Sequence, residues 1–75
     1  MPELPVLRPR EVLKALAKAG FFVHHQTGSH AVLKHRENPV LRVTVPMHAG
    51  DLKRGTLRSI VRSTGLGVEE FVQLL

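Results

Sequence analysis

The sequence predicts an α+β fold, a two-layer sandwich in which helices cover one face of a three-stranded antiparallel sheet, in the order α-β-β-β-α. Two stretches, 9–19 and about 55–63, carry apolar residues at helical spacing. Between them lie three strand-like stretches, joined by loops too short for the crossovers that parallel strands require. Packing helices on one sheet face buries the apolar sides of both layers. The 75 residues suffice for one domain, 1–75.

The first helix is predicted over 9–19. Val12 and Leu16 recur there at the spacing of one helix face. Pro9 suits the first turn, because the N–H that proline lacks would have no partner inside the helix. Gly20 follows as a C-terminal stop, since glycine readily adopts the left-handed conformation that ends many helices.

Three strands are predicted from β-branched and aromatic residues bounded by turn-forming residues: 21–26, 30–35 and 40–45. Thr27-Gly28-Ser29 separates the first two strands, and residues 36–39 separate the second from the third. Such short connections give hairpins and therefore an antiparallel meander. Pro46 is expected to end the third strand, because proline cannot donate a hydrogen bond to a sheet.

A second helix is predicted over about 55–63 and a short third helix over 68–74, with Gly65 and Gly67 between them. Acidic residues in the first turn of the third helix suit the positive end of the helix dipole. The resulting order of elements is also that of double-stranded RNA-binding domains, although a shared fold does not by itself establish a function.

The charge balance indicates a polyanionic partner. Eleven Lys and Arg face six Asp and Glu, for a formal net charge of +5, which favours binding to nucleic acid, an acidic protein or a membrane surface. The absence of cysteine excludes a disulfide scaffold and thiolate chemistry. The N-terminal residues lack the pattern of a secretory signal, and no apolar run approaches the ~20 residues that span a bilayer. We therefore expect a soluble, cytoplasmic protein without a membrane partner.

The triplet Gly28-Ser29-His30 places an imidazole directly after a tight turn, at the start of a predicted strand. Imidazole both accepts and donates protons near neutral pH. RNA carries its own nucleophile, the 2′-hydroxyl, so a ribonuclease needs a base, an acid for the leaving 5′-oxygen and cations for the developing charge. His30 is therefore a candidate general acid–base catalyst. The alternative is a strand histidine bonded to nearby backbone, which the spacing alone favours.

The other histidines have weaker functional signals. His48, between the sheet and the second helix, is a secondary candidate that would bind phosphate, assist catalysis or simply cap its loop. His24 and His25 are adjacent on a strand and should point to opposite faces, one of them towards His30. His35 is expected to be solvated. Because no pair has the i, i+4 spacing of helical metal ligands, we expect no metal and no other cofactor.

Basic residues cluster near the second helix. Lys53 and Arg54 precede it, and Arg58 follows one turn later. Together with the N-terminal amides of the helix, they would hold a phosphate backbone. The alternative is a solvated polar face. The three phenylalanines are all plausible core residues, so few rings remain for stacking on bases, which favours recognition of shape and backbone.

Five segments, taken in their order and spacing, form one pattern: Ala19-Gly20-Phe21, Gly28-Ser29-His30, Val43-Thr44-Val45-Pro46-Met47-His48, residues 51–60 (DLKRGTLRSI) and residues 64–71 (TGLGVEEF). Through them the chain resembles the HicA toxin family of bacterial toxin–antitoxin systems, also called the YcfA-like family. The resemblance covers about residues 8–75.

The resemblance implies a fold like that of a double-stranded RNA-binding domain and metal-independent cleavage of mRNA. The family's catalytic histidine corresponds to His30; His48 is a second choice from the sequence alone. The resemblance also implies a HicB-type antitoxin that binds the toxin and blocks its site, with operator DNA reached only through that complex. We expect Gly28 and Ser29 to set the turn that aims His30 and to contact the RNA.

Two alternatives to an endoribonuclease stay open at this point. The first is a non-catalytic RNA-binding module of the same fold, which would bind RNA without cleaving it. The second is an interaction protein whose charge serves only its antitoxin, which would have little affinity for RNA alone.

Overall fold

A computed structural model describes residues 3–75; Met1 and Pro2, the first residues of the predicted domain 1–75, lie outside the described residues. The helices and strands follow one another as α1 (Pro9–Lys18), β1 (Phe21–Thr27), β2 (His30–His35), β3 (Arg42–Pro46), α2 (Arg54–Ser63) and α3 (Val68–Val72). The strands form one antiparallel sheet in the order β1-β2-β3. The predicted α+β class and α-β-β-β-α order are confirmed.

The core lies between the sheet and the helices. Antiparallel pairing puts Ala31 beside Val45 and Leu33 beside Val43, and all four side chains are almost completely buried. The helices, β1, the N-terminal segment and the loop before α2 supply the remaining core residues: Leu4, Leu7, Val12, Ala15, Leu16, Phe21, Leu52, Leu57, Ile60, Val61 and Phe71. Side chains alternate along a strand, so exposed residues such as Thr44 point to the opposite sheet face.

Both long helices are amphipathic, as their spacing predicts. α1 buries Val12 and Leu16, and α2 buries Leu57, Ile60 and Val61, in each case along one stripe. The remaining stripes are free to carry charges and hydroxyl groups. In the described part of the chain, every helix is too short or too polar to span a membrane.

The start of the third strand differs from the prediction. β3 begins at Arg42 because Asn38 starts a turn, in which its side-chain and carbonyl oxygens accept hydrogen bonds from the N–H groups of Val40 and Leu41, at 3.2 and 3.1 Å. Pro46, expected just beyond the strand, is its last residue, and an edge strand tolerates the missing donor. The other boundaries lie within two residues of the predicted ones.

His35 is a structural residue, so the expectation of a solvated side chain was wrong. The backbone N–H of Glu37 donates to its Nδ1 (3.1 Å), and its Nε2 lies 2.9 Å from the carbonyl oxygen of Ala19. Because a backbone N–H can only donate and a carbonyl can only accept, Nδ1 accepts and Nε2 donates. The ring also packs edge-on against Phe21. The half-buried imidazole thereby ties the end of α1 to the end of β2.

The junction between α1 and β1 requires glycine. Gly20 has a φ of +97°, and a Cβ at this position would lie 2.7 Å from Nε2 of His35. We expect Gly20→Ala to lower the free energy of unfolding by about 1–3 kcal/mol, because it adds backbone strain and displaces the imidazole. Urea unfolding followed by circular dichroism measures this change.

Gly55→Ala is the matched control, because Gly55 lies in α2 with open space where a Cβ would stand. Alanine there should leave stability unchanged or raise it by up to about 1 kcal/mol. Equal stability of the two variants would contradict the strain assigned to Gly20.

Candidate functional site around His30

His30 lies directly beside the tight turn of the β1–β2 hairpin. It pairs with Thr27 across the two-residue loop formed by Gly28 and Ser29, and on its other side it pairs with Pro46. Strand alternation places its exposed side chain on the sheet face opposite to the core residues Ala31 and Leu33. The predicted catalytic residue is therefore accessible to a ligand approaching that face.

Ser29 holds the imidazole of His30. Its Oγ lies 2.9 Å from Nδ1 of the ring. A hydroxyl group both donates and accepts, so this hydrogen bond persists whichever protonation state Nδ1 adopts. In the described part of the chain, Nε2 of His30 forms no hydrogen bond, which leaves it available to a ligand. This arrangement suits a residue that gains and loses a proton at one nitrogen.

The loop preceding His30 keeps an open surface. Gly28 has no positive φ, and no atom lies within 4 Å of the position its Cβ would take. The turn conformation therefore does not require glycine there. What the missing side chain provides is space, through which the backbone of a ligand can approach His30 closely.

A groove of about 580 Å³ extends from His30 between β3 and α2. β3 contributes the side chains that alternate outwards: Arg42, Thr44 and Pro46. α2 contributes short side chains and one buried apolar residue: Gly55, Thr56, Ser59, Ile60 and Ser63. The groove thus combines one imidazole, one guanidinium and several hydroxyl groups, without an acidic side chain.

Lys53 and Arg54 lie where the sequence predicts, at the start of α2. Both are exposed, and the Arg54 guanidinium is 3.8 Å from the carboxylate of Glu3. An exposed ion pair of this length contributes little to stability. Arg54 can therefore exchange this partner for a phosphate at small cost.

Arg58 lies on a different side of α2 from the groove that contains His30. Together with Arg62 it lines a second cleft, which also includes Glu3 and Leu4. Consecutive helical residues point about 100° apart, so Arg58 and its neighbour Ser59 face different clefts. The structure therefore does not bring all the predicted RNA-binding residues together.

His48 also lies apart from His30. It lines a cleft with Arg8 and Arg10 near the start of α1, and its Nδ1 donates to the carbonyl of Ala49 (3.0 Å). Because a carbonyl can only accept, the proton is on Nδ1 and the free nitrogen is Nε2. The two histidines named from the sequence do not share a site.

His24 and His25 do not point to opposite faces, contrary to the expectation from strand alternation. A bulge in β1 interrupts the register between Val23 and His25 and brings the two Nδ1 atoms to 2.9 Å, so that one ring donates to the other. His25 pairs with Val32, which places it on the same sheet face as His30. Within residues 3–75, no three His, Asp or Glu side chains gather into a candidate metal site.

The polar lining of the groove, and Arg42 in particular, was not predicted from the sequence. The pattern that could have indicated it lies in the predicted third strand, because Arg42, Thr44 and Pro46 alternate with the apolar Val43 and Val45. That alternation indicates an exposed strand face next to His30. The neighbouring wall on α2 has no comparable local signal, since only the packing of the helix places it there.

A comparison with known protein families identifies the family of this chain. Residues 9–66 match the family model described as the HicA toxin of bacterial toxin–antitoxin systems. The match runs from the first residue of α1 to beyond the end of α2, and so includes the hairpin, His30 and both walls of the groove. A search of curated proteins finds no match. The match covers more than half of the chain, and on this ground the chain belongs to the HicA toxin family, the toxin half of a bacterial toxin–antitoxin pair.

Proposed function

We propose that this toxin is a metal-independent endoribonuclease that cleaves mRNA, with His30 as general acid–base catalyst. The observation that carries the proposal is the exposed imidazole of His30, fixed through Nδ1 by Ser29 and free at Nε2, at the end of an acid-free groove. Membership of a toxin family supplies the reason to consider mRNA, because cleavage of mRNA arrests growth.

The proposed step needs only one imidazole and the substrate's own hydroxyl. Nε2 of His30 removes the proton from a 2′-hydroxyl, whose oxygen attacks the adjacent phosphorus while the bond to the 5′-oxygen breaks. The 5′-oxygen takes up a proton as it leaves, from water or from the protonated ring. The products are a 2′,3′-cyclic phosphate and a 5′-hydroxyl. Nδ1–H of the imidazolium donates to Oγ of Ser29, which supports the positive charge formed during the step.

The predicted RNA-binding residues contribute around this centre. Gly28 gives the RNA backbone access to His30, and Ser29 orients the ring. Lys53 and Arg54 add positive charge at the N-terminal end of α2. Arg58 contacts the RNA only where the RNA strand passes over α2 and enters the second cleft. His48 lines a separate cleft and takes no part in the proposed step.

The partners follow from the same proposal. A HicB-type antitoxin neutralises the toxin by covering His30, and an acidic antitoxin surface would complement the net charge of +5. Operator DNA is contacted only through this complex. The toxin acts in the cytoplasm, where its mRNA substrate is.

Replacing His30 tests the catalytic assignment. We expect His30→Ala to lower the rate of RNA cleavage in EDTA by about 10²–10⁴-fold, the typical contribution of one acid–base group, while RNA binding and the circular dichroism spectrum are retained. End-group analysis of the wild-type products should find cyclic phosphate and 5′-hydroxyl termini.

His48→Ala, measured in parallel, should cleave at the wild-type rate because His48 lies in another cleft. Equal cleavage by wild type and His30→Ala would refute the assignment. RNA binding without cleavage by the wild type would favour the non-catalytic RNA-binding module. A strict Mg²⁺ requirement would contradict the proposed chemistry.

Ser29 acts as a positioning residue. Removing its hydroxyl leaves Nδ1 of His30 to water, so we expect Ser29→Ala to lower kcat about two- to tenfold, the worth of one such hydrogen bond. Ser29→Thr keeps a hydroxyl and should restore most of the rate. The melting temperature should stay unchanged in both variants, because the side chain is exposed. A threonine variant as slow as the alanine variant would argue against the hydroxyl's role.

A further inference from the structure

We propose that the groove between β3 and α2 binds one unpaired RNA strand along its sugar–phosphate backbone, with Arg42 holding a phosphate other than the one at the cleaved bond. The inference rests on the proposed function in taking RNA as the ligand and His30 as the end of its path. It adds a path for the RNA strand, a class of substrate and a residue that the sequence did not suggest.

The outward side chains of β3 define the path. Pro46 pairs with His30, and Thr44 and Arg42 follow on the same face of the strand. Arg42 precedes Pro46 by four residues, which at about 3.3 Å per residue corresponds to roughly 13 Å along β3. Because strand side chains stand roughly perpendicular to the sheet, His30 and Arg42 at this separation face different phosphates. Arg42 therefore holds a different nucleotide of the same strand.

The charge around Arg42 indicates an anionic ligand. Its side chain is exposed, and within residues 3–75 the ion pairs are Arg8–Asp51 and Arg54–Glu3, neither of which involves it. Arg42 pairs directly with Lys34 on the neighbouring strand. Like charges opposite each other destabilise a sheet. A phosphate beside Arg42 and Lys34 would neutralise this repulsion. The pairing of two cations is therefore favourable only when an anionic ligand is bound.

The wall formed by α2 suits a backbone more than a base. Thr56 and Ser59 present hydroxyl groups to the groove, and Ser63 donates its own hydroxyl to the carbonyl of Ser59 (3.0 Å). Hydroxyl groups bond to phosphate and ribose oxygens without selecting a base. Apart from the imidazole of His30, the described lining contains no aromatic side chain, so bases away from His30 have no ring to stack on.

The groove can take one strand. Its volume of about 580 Å³ falls in the range of small-ligand sites, about 300–1,000 Å³. An unpaired strand can also present its 2′-hydroxyl to His30 in the in-line geometry that cleavage requires. The inferred substrate is therefore a single-stranded region of RNA, selected by strandedness and not by sequence.

The test measures RNA binding by the full chain in a His30→Ala background, so that the RNA stays intact. The probes are a short fluorescein-labelled oligouridylate and a blunt-ended RNA duplex, each titrated over a series of salt concentrations. We expect Arg42→Gln to weaken oligouridylate binding several-fold and to reduce the slope of log affinity against log salt by about 0.7, the contribution of one phosphate contact in a single strand.

Arg10→Gln is the matched control, because it removes the same exposed charge but lies at the start of α1, outside both clefts beside α2. It should bind the oligouridylate as the His30→Ala parent does. In the catalytically intact background, Arg42→Gln should raise KM and leave kcat unchanged, because the contact is made equally in the ground state and in the transition state. Its melting temperature should not fall, since the repulsion from Lys34 is relieved.

The possible outcomes distinguish RNA binding in the groove from RNA cleavage by His30. Equal effects of Arg42→Gln and Arg10→Gln on affinity, or duplex binding as tight as that of the oligouridylate, would overturn the inference while the role of His30 could still hold. A wild-type chain that does not cleave RNA but loses affinity on Arg42→Gln would overturn the proposed catalysis and support the groove. A fall in kcat at constant KM would also overturn the inference, by making Arg42 part of the chemical step.

Discussion

The register of β2 against β3 determines which side chains pack against the helices and which remain available to a ligand. Pairing Ala31 with Val45 and Leu33 with Val43 buries all four on one face. A shift of β3 by one residue would turn Arg42 and Thr44 into the core and expose Val43 and Val45. The burial of those apolar side chains therefore also fixes the exposed face, and the candidate site depends on the same pairing that stabilises the sheet.

α2 divides the surface of the protein. One stripe of the helix, including Leu57 and Val61, anchors it in the core, and its neighbours form the walls of two different clefts. Hydroxyl groups face the groove with His30, whereas Arg58 faces the other cleft. A row of cations that looks continuous in the sequence is therefore distributed around a cylinder, and only part of it can meet one RNA strand.

The histidines illustrate how environment assigns roles to identical side chains. His35 has both ring nitrogens occupied by backbone partners, and His24 bonds to its neighbour through a bulge. His48 is held by its own loop. His30 alone combines exposure with a hydroxyl partner and a place in a groove that carries no acid. A free Nε2 in that setting is what acid–base chemistry on a phosphodiester requires.

The sequence by itself determined the order of the elements, the apolar stripe of each helix and the placement of His30 directly after a tight turn. Those features depend on local periodicity and turn chemistry, which neighbouring residues set. The tertiary structure decided that His24 and His25 share one side, that His35 is structural and that Arg42 lies in the groove of His30. These depend on a bulge, on strand register and on helix packing, which are set by the burial of residues distant in sequence.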